Sequence, residues 1–190
     1  MARRKWRQLV FFNVDASHKL KLRLCYDHLN EEGLNGMFSV GAFAIIQDET
    51  QRVLLCHRTD MDYWNLPGGR ALQGELPTET VVRETREEVG LRVAVIKLIA
   101  IYGKRERNGL AFVFACIPIG GKLGLSPESD AVGWYALSDL PKNTLPRHIE
   151  RIKDAFEGAA SDSPIFRHHQ APAVRQAQRG KQRNAARESL

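Results

Sequence analysis

The densest chemistry in the chain is a trio of glutamates, Glu84, Glu87 and Glu88, preceded by Arg83. On a helix, residues three and four apart share a face, so the spacing predicts three carboxylates pointing the same way. Carboxylates so placed repel one another unless a cation lies among them. Their oxygens suit a hard divalent ion, Mg²⁺ with Mn²⁺ as a substitute, whose shell is completed by water and by a substrate phosphate. A solvated acidic face is the plainer reading of the same residues. Upstream, Pro67-Gly68-Gly69 lacks side-chain bulk and lets backbone approach a ligand closely. Arg83 lies one turn before Glu87. It is expected either to pair along the helix or to clamp a loop carboxylate, Glu75.

These residues need elements to hold them. Residues 77–89 read as a helix, with Pro77 in the first turn and Gly90 at the stop. Val82, Thr85 and Val89 give it a side to bury, which leaves the acids facing outward. Apolar runs at 38–46, 53–57, 93–102, 110–117 and 132–137 read as strands, and 60–74 as loop. Residues 146–156 read as a closing helix, with Ile149, Ile152 and Phe156 on one side. Strands around two helices in mixed order imply an α/β or α+β class with a mixed sheet between helices.

The spacing Gly69, Glu75, Arg83-Glu84, Glu87-Glu88, Gly90-Leu91 closely resembles the signature of Nudix hydrolases, G-x5-E-x7-R-E-U-x-E-E-x-G-U with U bulky and apolar. Every fixed position is met. Thr85 departs at the first U, although it is β-branched and can pack. The resemblance extends over about residues 38–157, including Trp64-Asn65-Leu66-Pro67-Gly68-Gly69 and the stretch from Val132 to Pro141.

The resemblance implies an α/β/α sandwich with a mixed central sheet. It also implies metal-dependent hydrolysis of a nucleoside diphosphate linked to another moiety, here a nucleoside triphosphate or a nucleoside diphosphate derivative. Glu84, Glu87 and Glu88 would bind the metal, with the Gly69 carbonyl as a further ligand and Arg83 beside them. The general base in such proteins is either a glutamate of the helix or one on a loop ahead of a Trp-bearing strand. Glu128, six residues before Trp134, is in the second position, with Asp130 as fallback. On the substrate side, Arg58, Lys104 and Arg105, with Arg107, are placed to meet phosphates, and Trp64 and Tyr102 are flat enough to stack a base. Solvated or packed roles compete for each of them. The proline expected about sixteen residues beyond the signature in ADP-ribose hydrolases is replaced by Arg107, which argues against that substrate. The alternative is a catalytically silent Nudix-fold protein that binds nucleotide or RNA in a regulatory role. Intact signature carboxylates argue against it.

Composition bounds the rest. The 190 residues carry a formal charge of +6, unevenly spread. Residues 37–160 hold 15 Lys/Arg against 16 Asp/Glu, whereas 1–36 hold 7 against 4 and 161–190 hold 6 against 2. A near-neutral body confines any nucleic-acid binding to the basic ends. The expected organisation is a basic N-terminal extension at 1–36, a Nudix domain at 37–160 and a disordered basic tail at 161–190. Cys25, Cys56 and Cys116 are odd in number and widely spaced, as in a cytoplasmic protein with reduced thiols. No apolar run is long enough to span a bilayer and no secretory leader is expected. A homodimer is compatible with the sequence.

Overall fold

The computed structural model describes residues 38–104, 108–158 and 161–170. The expected N-terminal extension, Cys25, Arg105, Arg107 and the tail from residue 171 onward lie outside the described residues.

The elements run β1 (Ser39–Ile46), β2 (Val53–Arg58), β3 (Trp64–Asn65), β4 (Gly68–Arg70), α1 (Pro77–Val89), β5 (Leu91–Gly103), β6 (Gly109–Gly121) and β7 (Ser129–Tyr135). A 3₁₀ turn (Leu137–Asp139), α2 (Pro146–Glu157) and β8 (Ile165–His168) follow. Five strands form a mixed sheet in the order β4-β1-β6-β5-β8, and three form a second sheet in the order β3-β2-β7. In the first, β1 runs parallel to β6 and β5 parallel to β8, while β1–β4 and β5–β6 are antiparallel.

Strand alternation explains why both faces are apolar. In β1, Ala42, Ala44 and Ile46 enter one core with Val81 and Val89 of α1, while Ile45 enters a second core with Ile152 and Ala155 of α2. β2 divides the same way, Leu54 and Cys56 to the first core, Val53 and Leu55 to the second. Sheet between two helices is the expected sandwich, and strands buried on both faces read as continuous apolar runs.

Three differences from the sequence reading have physical causes. The 60–74 segment contains the short strands β3 and β4, because Gly68–Arg70 pairs with Phe43–Gly41. A glycine-rich trio has no periodicity of its own, and its partner strand imposes the ladder. β7 starts at Ser129 rather than Val132 because Ala131 and polar Ser129 pair with His57 and Arg58 of β2. The tail does not begin at 161 as expected: Ile165–His168 lies beside Ala100–Gly103 as an edge strand, and His169 is buried. Charged side chains that would ordinarily mark solvated chain are matched there by Glu150 and Asp154.

Candidate active site

Helix α1 delivers the central residues. Pro77 fills the first turn, and Glu79 accepts a hydrogen bond from the Leu76 amide at 2.9 Å, capping the start. Gly90 ends the helix at φ 76°, where a side chain would also meet the Lys122 carbonyl oxygen. Thr85 is fully buried, and its hydroxyl donates to the Val81 carbonyl at 2.7 Å, so the polar atom at this apolar position is satisfied within the helix.

The acids do not all face outward. Glu84 is 1% exposed and Glu88 6%, both on the buried side with Val81, Thr85 and Val89. Successive helical residues are about 100° apart, so residues 84 and 88 differ by only about 40°. By the same count residue 87 aligns with residue 83. Accordingly Glu87 is 44% exposed and accepts from Arg83 Nη1 at 3.0 Å.

Arg83 links helix and loop. Its Nε and Nη2 donate to the two oxygens of Glu75 at 2.7 and 2.9 Å, its Nη1 to Glu84 at 2.8 Å, and its Nη2 also to the Arg70 carbonyl at 3.1 Å. The guanidinium, with the Leu72 amide and the Thr80 hydroxyl, holds the Glu75 carboxyl down to about 2. Of the two roles expected of Arg83, the loop clamp and the helix-face pair are both present.

Gly69 passes against Glu84 so closely that a Cβ there would lie 2.6 Å from its carboxyl carbon. Glu88 Oε2 accepts the Gly68 amide at 2.8 Å. Burial pushes the Glu88 carboxyl up to about 8; the Gly68 amide and Arg58 oppose that shift, and Glu84 and Glu128 add to it. Glu128, from the turn before β7, completes the group. One oxygen each from Glu84, Glu88 and Glu128 lie within 4.8 Å of one another, a spacing and donor chemistry that could hold a hard divalent cation.

A family model described as NUDIX domain matches residues 37–156. The chain belongs to the Nudix family. Among its relatives, a MutT-like protein of Streptomyces ambofaciens is 35% identical over 133 residues, spanning 70% of this chain and 84% of that one. A human 8-oxo-dGDP phosphatase is 34% identical over 133 residues, spanning 68% of this chain and 40% of its own. The crystal structure of an ADP-ribose pyrophosphatase from Streptococcus suis superposes with a TM-score of 0.57 at 28% identity, over 69% of this chain and 98% of that one. The protein is thus a Nudix hydrolase, an enzyme of the family that cleaves phosphoric anhydrides.

In this Nudix hydrolase the remaining expected residues have diverse surroundings. Arg58 makes a two-pronged pair with Asp60, both contacts at 2.7 Å, while its charge also acts on Glu88. Lys104 lies just after β5, and its ammonium is 3.7 Å from where a Cβ on Gly41 would be, beside the β1–β4 pairing. Trp64 rests edge-on against Tyr135, ring centres 5.1 Å apart, as part of the second core. Tyr102 is buried, donating to Asp154 and stacked on His169, so it is no base-stacking surface. Asp130 is bound to His57 at 2.6 Å.

Two polar clusters were not legible in the sequence. One joins His57, Asp62, Asn143 and Asp130. The other buries Arg151 among His148, His169, Tyr102 and Phe43, with His148 Nδ1 accepting the Leu66 amide at 2.9 Å. Single His and Asp residues far apart in the chain carry no spacing signal; the pairing of β2 with β7 and the docking of β8 bring them together.

Proposed function

We propose that the protein is a divalent-cation-dependent pyrophosphohydrolase acting on a nucleoside diphosphate linked to another moiety, with nucleoside triphosphates and nucleoside diphosphate derivatives as the substrate class. The observation that carries this reading is the convergence of Glu84, Glu88 and Glu128 from two separate elements. Two of the three are buried, Glu84 beside Arg83 and Glu88 within the field of Arg58, and a cation among the three would offset the repulsion between carboxylates brought this close. Names of relatives, an 8-oxo-dGDP phosphatase and an ADP-ribose pyrophosphatase, agree with the class.

In this reading Glu84 and Glu88 hold the cation with the Gly69 carbonyl, while Glu87 acts mainly through Arg83. A bound Mg²⁺ or Mn²⁺ supplies charge neutralisation at the pyrophosphate and a more acidic water. Arg83 keeps the loop from Arg70 to Glu75 against α1 and orients Glu84. Glu128 is the member of the trio that is only partly buried, so it can take a proton from water and return it to solvent. Arg58, Lys104 and Arg105 receive substrate phosphates, and Trp64 borders the base. Cys56 and Cys116 are buried free thiols, in accord with a reducing cytoplasm. No helix among the described residues is long and apolar enough to cross a membrane.

The test is a panel of 8-oxo-dGTP, 8-oxo-dGDP, dGTP, other nucleoside triphosphates and ADP-ribose, read as phosphate or pyrophosphate release. Turnover should require Mg²⁺ or Mn²⁺, vanish in EDTA and return on adding metal. Full turnover in chelator ends the metal reading; no turnover across the panel ends the substrate class.

A further inference from the structure

The strand carrying Glu128 has an irregularity at the point where it matters. His57 is paired with Ala131 and Arg58 with Ser129, so one step along β2 spans two residues of β7. Asp130 is the extra residue of this bulge. A bulge bends its strand and re-aims neighbouring side chains. Here the residues just ahead are buried Ser129 and then Glu128, which meets Glu84 and Glu88. What fixes the bulge is therefore relevant to where the Glu128 carboxylate lies.

Besides the Ser126–Ser129 backbone bonds and the Glu128 amide's bond to Ser126 Oγ within the turn, three contacts tie it to β2 and the residue after it. The Thr59 amide donates to the Glu128 carbonyl at 3.2 Å, and the Thr59 hydroxyl donates to the Pro127 carbonyl at 3.1 Å. The third is made by a side chain: His57 Nδ1 lies 2.6 Å from Asp130 Oδ1. The other ring nitrogen, Nε2, lies 3.0 Å from Asp62 Oδ1, and that oxygen also accepts from Asn143 Nδ2 at 2.7 Å. Each ring nitrogen thus faces a carboxylate oxygen, an arrangement in which both nitrogens donate and the ring is held in one orientation. The imidazole ties the bulge to the 60–63 loop through a rigid ring.

We propose that His57 is a positioning residue that holds the Asp130 bulge of β7 and thereby sets Glu128 against Glu84 and Glu88. The inference rests on the assignment of Glu128 to the active site. His57 touches neither that trio nor a substrate in this role; it acts through Asp130. Asp62 and Asp130 are largely exposed, so the ion pairs themselves contribute little to global stability. Their effect is local, on the geometry of residues 126–131.

The test uses the full chain in five variants: His57→Ala, His57→Asn, His57→Gln, Glu128→Gln, and the double variant His57→Ala/Glu128→Gln. The first readout is amide hydrogen exchange of segment 126–131 in metal-free protein, which needs no substrate. Exchange there should rise about tenfold in His57→Ala, with the rest of the protein unchanged. Asn carries its amide where Nδ1 was and reaches Asp130, so His57→Asn should stay close to wild type. Gln carries its amide where Nε2 was, toward Asp62, and should behave like alanine. The second readout is turnover of the panel nucleotide that wild type hydrolyses. The kcat of His57→Ala should fall about 10- to 100-fold with KM little changed, in the range typical for supporting residues around a metal site. Added to Glu128→Gln, the His57→Ala change should cause no further loss. Unchanged exchange at 126–131 in His57→Ala overturns the clamp. Losses that multiply in the double variant, or equal losses for asparagine and glutamine, overturn the route through Glu128. Wild-type kcat for Glu128→Gln sinks the assignment of Glu128 itself, while the exchange data still decide whether His57 holds the bulge.

Discussion

Glu88 concentrates the conflict at the centre of the protein: a carboxylate placed where burial opposes its charge and a neighbouring glutamate adds to the penalty. Its pKa of about 8 in the folded chain lies far above the ordinary 4.5. The native state therefore keeps a proton that the unfolded chain loses near pH 4.5. Between those values the unfolded state binds fewer protons, so metal-free stability should decline as pH rises from about 4.5 to 8. The same proton must leave when a cation binds, so Mg²⁺ or Mn²⁺ affinity should increase across that window. Glu88→Gln tests both halves. Glutamine retains an oxygen for the Gly68 amide and carries no charge, so the metal-free variant should melt no lower than wild type at pH 8 and match it near pH 4. Turnover should fall by about 10²–10³, as for other lost electrostatic groups in active sites. A melt lowered by many degrees would instead make Glu88 a structural anchor, and near-wild-type turnover at low Mg²⁺ would remove it from the metal site. A calorimetric titration of Mn²⁺ at pH 6 and pH 8 provides the affinity comparison.

At the scale of elements, helix α1 was the most legible part of the sequence. Its bounds follow from Pro77 and Gly90, and a clamp between Arg83 and Glu75 was one of the two roles the sequence offered for that arginine. What spacing alone could not say is which side of the helix faces in. Glu84 and Glu88 lie beside Val81 and Val89 rather than opposite them, because the site is built into the edge of the core. Thr85 illustrates the same point. Its hydroxyl closes on the Val81 carbonyl, so the position is apolar in surroundings though polar in name. Thr85→Val should leave kcat unchanged and shift stability by less than about 1 kcal/mol, toward greater stability, because the Val81 carbonyl keeps its helical bond from the residue 85 amide. A loss of several °C in thermal melting would count against this account. Gly69→Ala should act on the site instead. A Cβ at 2.6 Å from the Glu84 carboxyl forces that side chain to move, and Mn²⁺ binding should weaken markedly while the protein remains folded. Unchanged Mn²⁺ affinity would show that Glu84 can shift freely without leaving a metal's reach.

For the whole molecule, the sandwich was visible because strands buried on both faces leave long apolar runs, and two helices account for the two cores. The edge at β8 was invisible. Its Ile165-Phe166-Arg167-His168 is short, polar at one end and set in a basic stretch that composition alone assigns to solvent. Its place comes from non-local partners: Arg167 meets Asp154 at 2.5 Å, His169 Nδ1 meets Glu150 at 2.7 Å, and His169 Nε2 meets Arg151 Nη2 at 3.1 Å. Burial, followed by the charge of Arg151, lowers His169 to about 4, so its ring is neutral near pH 7 and can accept from Arg151. Arg151 in turn contacts His148, which receives the Leu66 amide ahead of the glycine loop. The expectation that residues 161–190 form a disordered tail therefore divides in two. Ending the chain after Gln170 should leave stability and kcat near wild type. Ending it after Ala160 should remove the edge strand, deprive Asp154 and Glu150 of these cationic and imidazole partners, and strip one acceptor from a buried guanidinium. Arg167 is partly exposed and His169 neutral, so the loss is that of buried polar groups left without partners, roughly 1–3 kcal/mol, which for a chain of this size lowers the melting temperature by several °C. Thermal melts of the two truncations measured side by side decide it. Equal melting temperatures would show that β8 only rests on β5, whereas a drop confined to the shorter chain would show that β8 is part of the domain.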